Sequence, residues 1–410
     1  MSLWRSGIFW AALGFIGGLG NLVFQIIMKR RLPEVEFGHA TTLLGATTFF
    51  GLPMQMASTA VIYYAAHFKS HNDQSRLQGL LAGCRSFLFK VTIGGSLLAV
   101  GLAAPFGKFF GYSRGEMIAA ILCVLVGLWS SFAIALCQGM SWFKRLAVIG
   151  FCAVLLRLLF GWVVTGIKPT AEMAVSATTF SLLANLALLY WWKTIFQHSA
   201  EKTSPWNREF FTFLVVAGGF VAGNFFFLQG DMLAAKRHFT DIDLNFYTTA
   251  GVLARAVPAT VSPLLNVFFT SRSGKRSDQA AKDQKILLAL YAIGLGCGAI
   301  GLIVLRDPFL KVLGKYTPES AALIPRFAMT LALAGLNQAI ATWSLASRWF
   351  KIALLYGGLG LIYWLVLLTT AIDPAKMLNT MLACSAVAFV ILLCAWLNTM
   401  RKTSKVAAQA

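Results

Sequence analysis

The sequence predicts an all-α polytopic membrane protein of about 12 transmembrane helices, set in two six-helix bundles related by pseudo-twofold symmetry. Composition is the first reason. Of 410 residues, 58% are hydrophobic and only 12% charged, and mean hydropathy is +0.71, whereas a soluble domain carries about 25% charged residues. The second reason is recurrence: apolar runs of about twenty residues follow one another along the chain, each long enough to cross roughly 30 Å of hydrocarbon. The third is an echo. The stretch GNLVFQIIMKRRLPEVEFG from Gly20 returns, about two hundred residues later, as Gly223-Asn224 and then AAKRHFTDIDLNFY. Lys29, Arg30, Arg31, Leu32, Glu34 and Glu36 correspond to Lys236, Arg237, His238, Phe239, Asp241 and Asp243. A period this long excludes a solenoid and indicates two similar halves.

The first six spans fall at residues 7–28, 38–67, 79–104, 117–139, 146–166 and 171–192. The second six fall at residues 208–231, 246–270, 286–305, 321–346, 352–371 and 378–399. The first follows MSLWRSG without an A-x-A cleavage site, so it reads as a retained helix. The second span carries Gly51-Leu52-Pro53 and the eighth carries Pro258 and Pro263; proline removes a backbone donor, so Pro53, Pro258 and Pro263 are matched hinge candidates. Gly17, Gly18 and Gly20, echoed by Gly218, Gly219 and Gly223, would let neighbouring helices approach closely. Asn21 and Asn224 read as a matched pair of interhelical hydrogen-bonding residues. Trp142, Trp191, Trp206, Trp349 and Trp396 lie near span ends, where interfacial aromatics collect.

The domains follow from the spans. Residues 1–196 form an N-terminal bundle, 197–209 a cytoplasmic linker, 210–400 a C-terminal bundle and 401–410 a basic cytoplasmic tail. Lys and Arg favour the side that holds both termini, chiefly through Arg272 to Lys285 and the tail, which places both ends in the cytoplasm and the protein in the cytoplasmic membrane. That bias absorbs most of the net charge of +20, so no nucleic-acid partner is implied. The seven cysteines lie in apolar stretches without a CxxC pair and read as small buried hydrophobes; no metal and no cofactor is called for.

The informative cations are those inside spans: Arg85, Lys90, Arg157, Arg255 and Arg326. A charge at mid-bilayer costs about 2.5–3.5 kcal/mol on insertion scales, so it normally faces a bundle interior or a wet cavity. Arg157, in VLLRLLFGW, and Arg255, in GVLARAVPA, lie deepest. Embedded acids are almost missing; Asp231 and Glu172 come closest and are the candidates for ion coupling. Too few acids to neutralise these cations points to a cavity for an anionic substrate, with Arg offering forked donors to phosphate or carboxylate.

IIMKRRLPEVEFGHATTLLG resembles the first-loop signature of the polysaccharide-biosynthesis flippases, the Wzx-like branch of the multidrug/oligosaccharidyl-lipid/polysaccharide exporter superfamily. Arg30 or Arg31, Leu32, Pro33, Glu34, Glu36, Phe37 and Gly38 fit the pattern. The second-half stretch is similar to the family's as well, although Asn245 stands where a glycine is usual. The resemblance implies two bundles forming a V around a cationic cavity. It also implies alternating access that carries an undecaprenyl-diphosphate-linked oligosaccharide across the membrane for lipopolysaccharide O-antigen or exopolysaccharide synthesis. A polysaccharide polymerase and glycosyltransferases would be its partners, beside membrane lipids. By their depth in the spans, and not by alignment with the family, Arg157, Arg255, Lys90 and Arg85 are the expected substrate ligands, with Arg30 and Lys236 secondary at the outer edge. One rival is a cation-coupled multidrug exporter of the same superfamily, which would use embedded acids. Another is a membrane-embedded polymerase or acyltransferase, which the scattered His39, His67, His71, His198 and His238 do not favour. The chain is expected not to be an enzyme.

Overall fold

The computed structural model describes residue 17 and residues 19–191, 208–274, 278–313, 317–370 and 373–409, all helical apart from short turns. Most of the linker proposed at 197–209, including His198, lies outside the described residues. Helix α1 covers residues 19–31, followed by α2 (Glu34–Phe50), α3 (Leu52–Ser70), α4 (Gln74–Phe110), α5 (Arg114–Gly139), α6 (Phe143–Ile167) and α7 (Ala171–Trp191). The second half comprises α8 (Arg208–Leu228), α9 (Gly230–His238), α10 (Asp241–Gly274), α11 (Asp278–Val304), α12 (Arg306–Val312), α13 (Pro318–Ala346), α14 (Phe350–Thr370) and α15 (Pro374–Gln409). Among the described residues, 9 helices are each long and apolar enough to cross a membrane unaided. With α1, the pair α2–α3 and α4, they make the twelve spans the sequence predicts. Helix α15 runs on to Gln409, so the basic tail continues the last span.

Each half packs by the same scheme. In the first, α5 lies against α3, α4 and α7, and α7 against α6; in the second, α13 lies against α10, α11 and α15, and α15 against α14. The duplication extends to single hydrogen bonds. Asn21 of α1 accepts from Arg157 of α6 at 2.6 Å, and Asn224 of α8 accepts from Tyr356 of α14 at 2.9 Å. These are the first and fifth spans of each half. The glycines act as expected in part: a Cβ on Gly20 would strike Val154 of α6, whereas one on Gly17 would meet nothing within 4 Å, and Gly18 lies outside the described residues. On α8, Gly219 and Gly223 meet Gly357 and Gly360 of α14 almost backbone to backbone. Large apolar side chains cover the outward faces, Leu97 at 73% and Val304 at 72% exposed among them, which suits a surface bathed in lipid. Cys297 and Cys394 are on that exposed surface too, contrary to the expectation that all cysteines are buried.

The prolines depart from expectation. The second span breaks at Gly51, just ahead of Pro53, but α10 continues through both Pro258 and Pro263. The break in the second half lies instead in the seventh span, at Gln229 between α8 and α9. Pro263 deprives the Ala259 carbonyl of its usual donor, and the Ser262 hydroxyl supplies one at 2.9 Å. A side chain that satisfies the freed acceptor lets a membrane helix tolerate the ring. The helix breaks are therefore not at matching positions in the two halves.

Candidate substrate cavity

Between the two bundles lies a cavity of about 590 Å³, with walls from α1, α2, α3, α5, α6, α7, α8, α9, α10 and α13. Both deep arginines reach it, Arg157 from α6 and Arg255 from α10. Amides and hydroxyls make up much of the rest of the polar lining, among them Gln25, Gln55, Gln229, Gln338, Thr47 and Thr178. Among the described residues the lining holds no Asp or Glu.

The two arginines differ in their surroundings. Arg157 donates to Asn21 and lies over the Phe24 ring, 4.1 Å from its centroid. Its Nε has no hydrogen-bond partner, and no described carboxylate pairs with it. It remains an uncompensated cation facing the cavity. Arg255 is held by the broken seventh span. The break at Gln229 frees the Leu228 carbonyl, which accepts from Arg255 Nε at 3.1 Å. Asp231, in the first turn after the break, is fully buried and ion-paired with the same guanidinium. Tyr247 donates to that carboxylate at 2.6 Å. Sequence reading treated Arg255 as a substrate ligand and Asp231 as an ion site, separately. The structure joins them into one pair, Arg255 at the cavity wall and Asp231 behind it.

The remaining candidates lie elsewhere. Lys90 lines a second, lateral space bordered by α3, α4, α5 and α8, outside the central cavity. The side chain of Arg85, on the same helix, falls outside the described part of the structure. Glu172 is half-buried at the start of α7 and pairs with Lys168 at 2.7 Å, away from the cavity. Arg30 and Lys236 belong to a seal on the side away from the termini.

That far-side seal is built from the echoing motif, and it crosses between bundles in both directions. Lys29, 4% exposed, donates to Asn245 of α10, whose amide reaches Glu34 at 3.4 Å. Lys236 contacts His39 Nε2 at 2.7 Å, with Asp241 3.9 Å from the same ring atom. His39 Nδ1 lies 3.0 Å from Glu116 of α5. With Lys236 donating to Nε2, the imidazole is the tautomer that carries its proton on Nδ1 and donates to Glu116. Arg30 adds a bond to the Val312 carbonyl at 2.7 Å. The motif's other acids serve helix ends: Glu36 accepts from the Ala171 backbone N–H at 2.7 Å, capping α7, and Asp243 forms a reciprocal cap with Thr240. No lining residue lies beyond Thr41 on α2 or Val252 on α10, because the helix ends past them are in contact. Toward the terminal side, Asn21 and Ala259 are exposed in the cavity wall. The bundles also meet on the terminal side along α3, where Arg348 donates to Tyr63 at 2.6 Å, the Tyr63 and Phe213 rings stack 4.4 Å apart, and Tyr63 and Tyr64 pack against Phe269 and Phe210.

Solved structures with this arrangement exist. A eukaryotic MATE transporter, AtDTX14, superposes with a TM-score of 0.70 over 97% of each chain, at 13% identity. The fold is that of the MATE transporters of the MOP superfamily. A multidrug resistance MATE transporter in its outward-facing conformation matches with a TM-score of 0.69, over 99% of this chain and 97% of its own, at 9% identity. A MATE transporter of Vibrio cholerae, VcmN, matches with a TM-score of 0.68, over 98% of both chains, at 12% identity. No protein-family model and no curated protein matches the sequence.

Proposed function

We propose that the protein is a flippase that moves a lipid-linked anionic oligosaccharide across the cytoplasmic membrane by alternating access, with Arg157 as the central ligand for its phosphate. The observation that carries this reading is the lining of the cavity: one uncompensated guanidinium, a ring of amides and hydroxyls, and no carboxylate among the described residues. Arg157 offers planar donors to a diphosphate, and the amides and hydroxyls suit sugar hydroxyls. The motif shared with the polysaccharide flippases supports the same substrate. With the termini in the cytoplasm, the reciprocal seal of Lys29 on Asn245 and Lys236 on His39 lies toward the outer face. A cation-coupled multidrug exporter would need an available carboxylate in the cavity; Asp231, the nearest, is engaged by Arg255 and Tyr247.

The test is transport of a fluorescent polyprenyl-diphosphate oligosaccharide in proteoliposomes, beside complementation of a flippase-deficient strain. Arg157→Ala is expected to abolish both while leaving membrane insertion intact, and Arg157→Lys to restore part of the activity. Undiminished transport by the alanine variant would overturn the cationic-cavity mechanism.

A further inference from the structure

The lateral space that contains Lys90 has no role in the central cavity. It measures about 410 Å³ and lies across the junction between bundles, with α3, α4 and α5 on one side and α8 on the other. Its walls are apolar apart from Ser86, Cys84 and Lys90; Ala57, Val61, Phe132 and Leu214 line the interior. Phe87 and Phe211 stand at its edge, one from each bundle, 44% and 51% exposed to the lipid side.

Lys90 is the unusual member. It sits near the middle of the 37-residue α4, more than about 20 Å from either end at 1.5 Å per residue, too far to snorkel to an interface. It is exposed, flanked by exposed Phe89 and Ile93, and among the described residues it makes no hydrogen bond or ion pair. A bare ammonium against hydrocarbon costs about 2.5–3.5 kcal/mol on insertion scales, and an anion supplied by the membrane removes that cost. The crevice also abuts the central cavity. Met54 lines both spaces and is itself 5% exposed, so its unbranched side chain stands between them.

We propose that this crevice is a side entrance where a phosphate-headed lipid with a long hydrocarbon tail docks. Lys90 takes the phosphate, the apolar walls between α3, α4 and α8 take the first part of the tail, and Met54 gates passage to the central cavity. The inference rests on the flippase reading and assigns where its lipid enters.

The test uses the full-length protein in nanodiscs, with Phe211 replaced by photoactivatable benzoylphenylalanine. Three probes are compared: a polyprenyl diphosphate, the neutral polyprenol and phosphatidylglycerol. The diphosphate is expected to crosslink at position 211 in preference to both others. Lys90→Glu should lower that yield about tenfold, the size of one charge-assisted contact. The same photoprobe at Ile362, 59% exposed on the lipid face of α14, should show neither preference. Equal crosslinking of phosphatidylglycerol, or of the neutral polyprenol, or an unchanged yield in Lys90→Glu, would overturn the proposal. Arg157→Ala separates the two readings: it should abolish transport but keep the crosslink. Transport surviving in Arg157→Ala with the crosslink intact would refute the central-cavity mechanism and leave the docking site standing.

Discussion

Arg255 and Asp231 form a unit whose members cannot be varied one at a time without cost. The carboxylate is fully buried, and its partners are the guanidinium and the Tyr247 hydroxyl. Removing one side of such a pair leaves an uncompensated buried charge and destabilises by about 3–5 kcal/mol, whereas apolar replacement of both is often neutral. Asp231→Ala is therefore expected to lower thermal stability in detergent sharply, and Asp231→Leu with Arg255→Met to recover most of the loss. A double variant no more stable than the single one would show that the two residues do not act as a pair. The depth of both residues was legible in the sequence, because charges within apolar runs stand out. Their pairing was not: they lie 24 positions apart, and what joins them is the break at Gln229, which the sequence marks only by the lone Gly230. Arg157 was legible both in depth and in lacking an acid partner. Its link to Asn21 was half legible, since the Asn21 and Asn224 echo marked a structural pair without naming the partner helix.

At the scale of elements, the strongest packing signature is the α8–α14 crossing. A Cβ on Gly360 would sit 2.9 Å from the Gly223 Cα, and one on Gly223 would sit 2.6 Å from the Tyr356 ring. Neither neighbour can withdraw: one is backbone and the other a fully buried ring. Gly360→Ala is expected to destabilise the second bundle by about 1–3 kcal/mol, the usual cost of forcing extra atoms into a packed core. A melting temperature unchanged in detergent would show that the crossing relaxes freely. Glycines of α8 were visible in the sequence as a close-approach face; Gly357 and Gly360 were not, because an apolar run with scattered glycines does not say which helix it will meet. The helix boundaries were less legible for a related reason: proline counts the donors a helix loses, but Ser262 restores a donor to the Ala259 carbonyl at Pro263, so α10 continues past both prolines.

At the scale of the molecule, the echoing motif is a lock shared by the two bundles. Each copy places a buried lysine against a residue near the start of the other bundle's second span, Lys29 on Asn245 and Lys236 on His39. Spacing and charge made the repeat legible, and topology put it on the far side. Its reciprocity was not legible, because no sequence pattern says that one bundle's cation meets the other's helix. The alternating access proposed above requires this lock to break when the far side opens. A hydrogen bond to a charged group contributes about 1.5–3 kcal/mol, and each 1.4 kcal/mol is a factor of ten in an equilibrium. Lys29→Ala together with Lys236→Ala should therefore shift the resting population toward the far-side-open state by at least about a hundredfold. A cysteine at Thr48, in the cavity wall, introduced in a background without reactive cysteines, reports this through a membrane-impermeant maleimide added from the far side. Labelling should be slow with the lock intact and fast in the double variant, and each single variant should fall between. Equal rates in all of them would mean that the remaining contacts, Arg30 on the Val312 carbonyl and Gly38 on Leu244 among them, hold the far side closed.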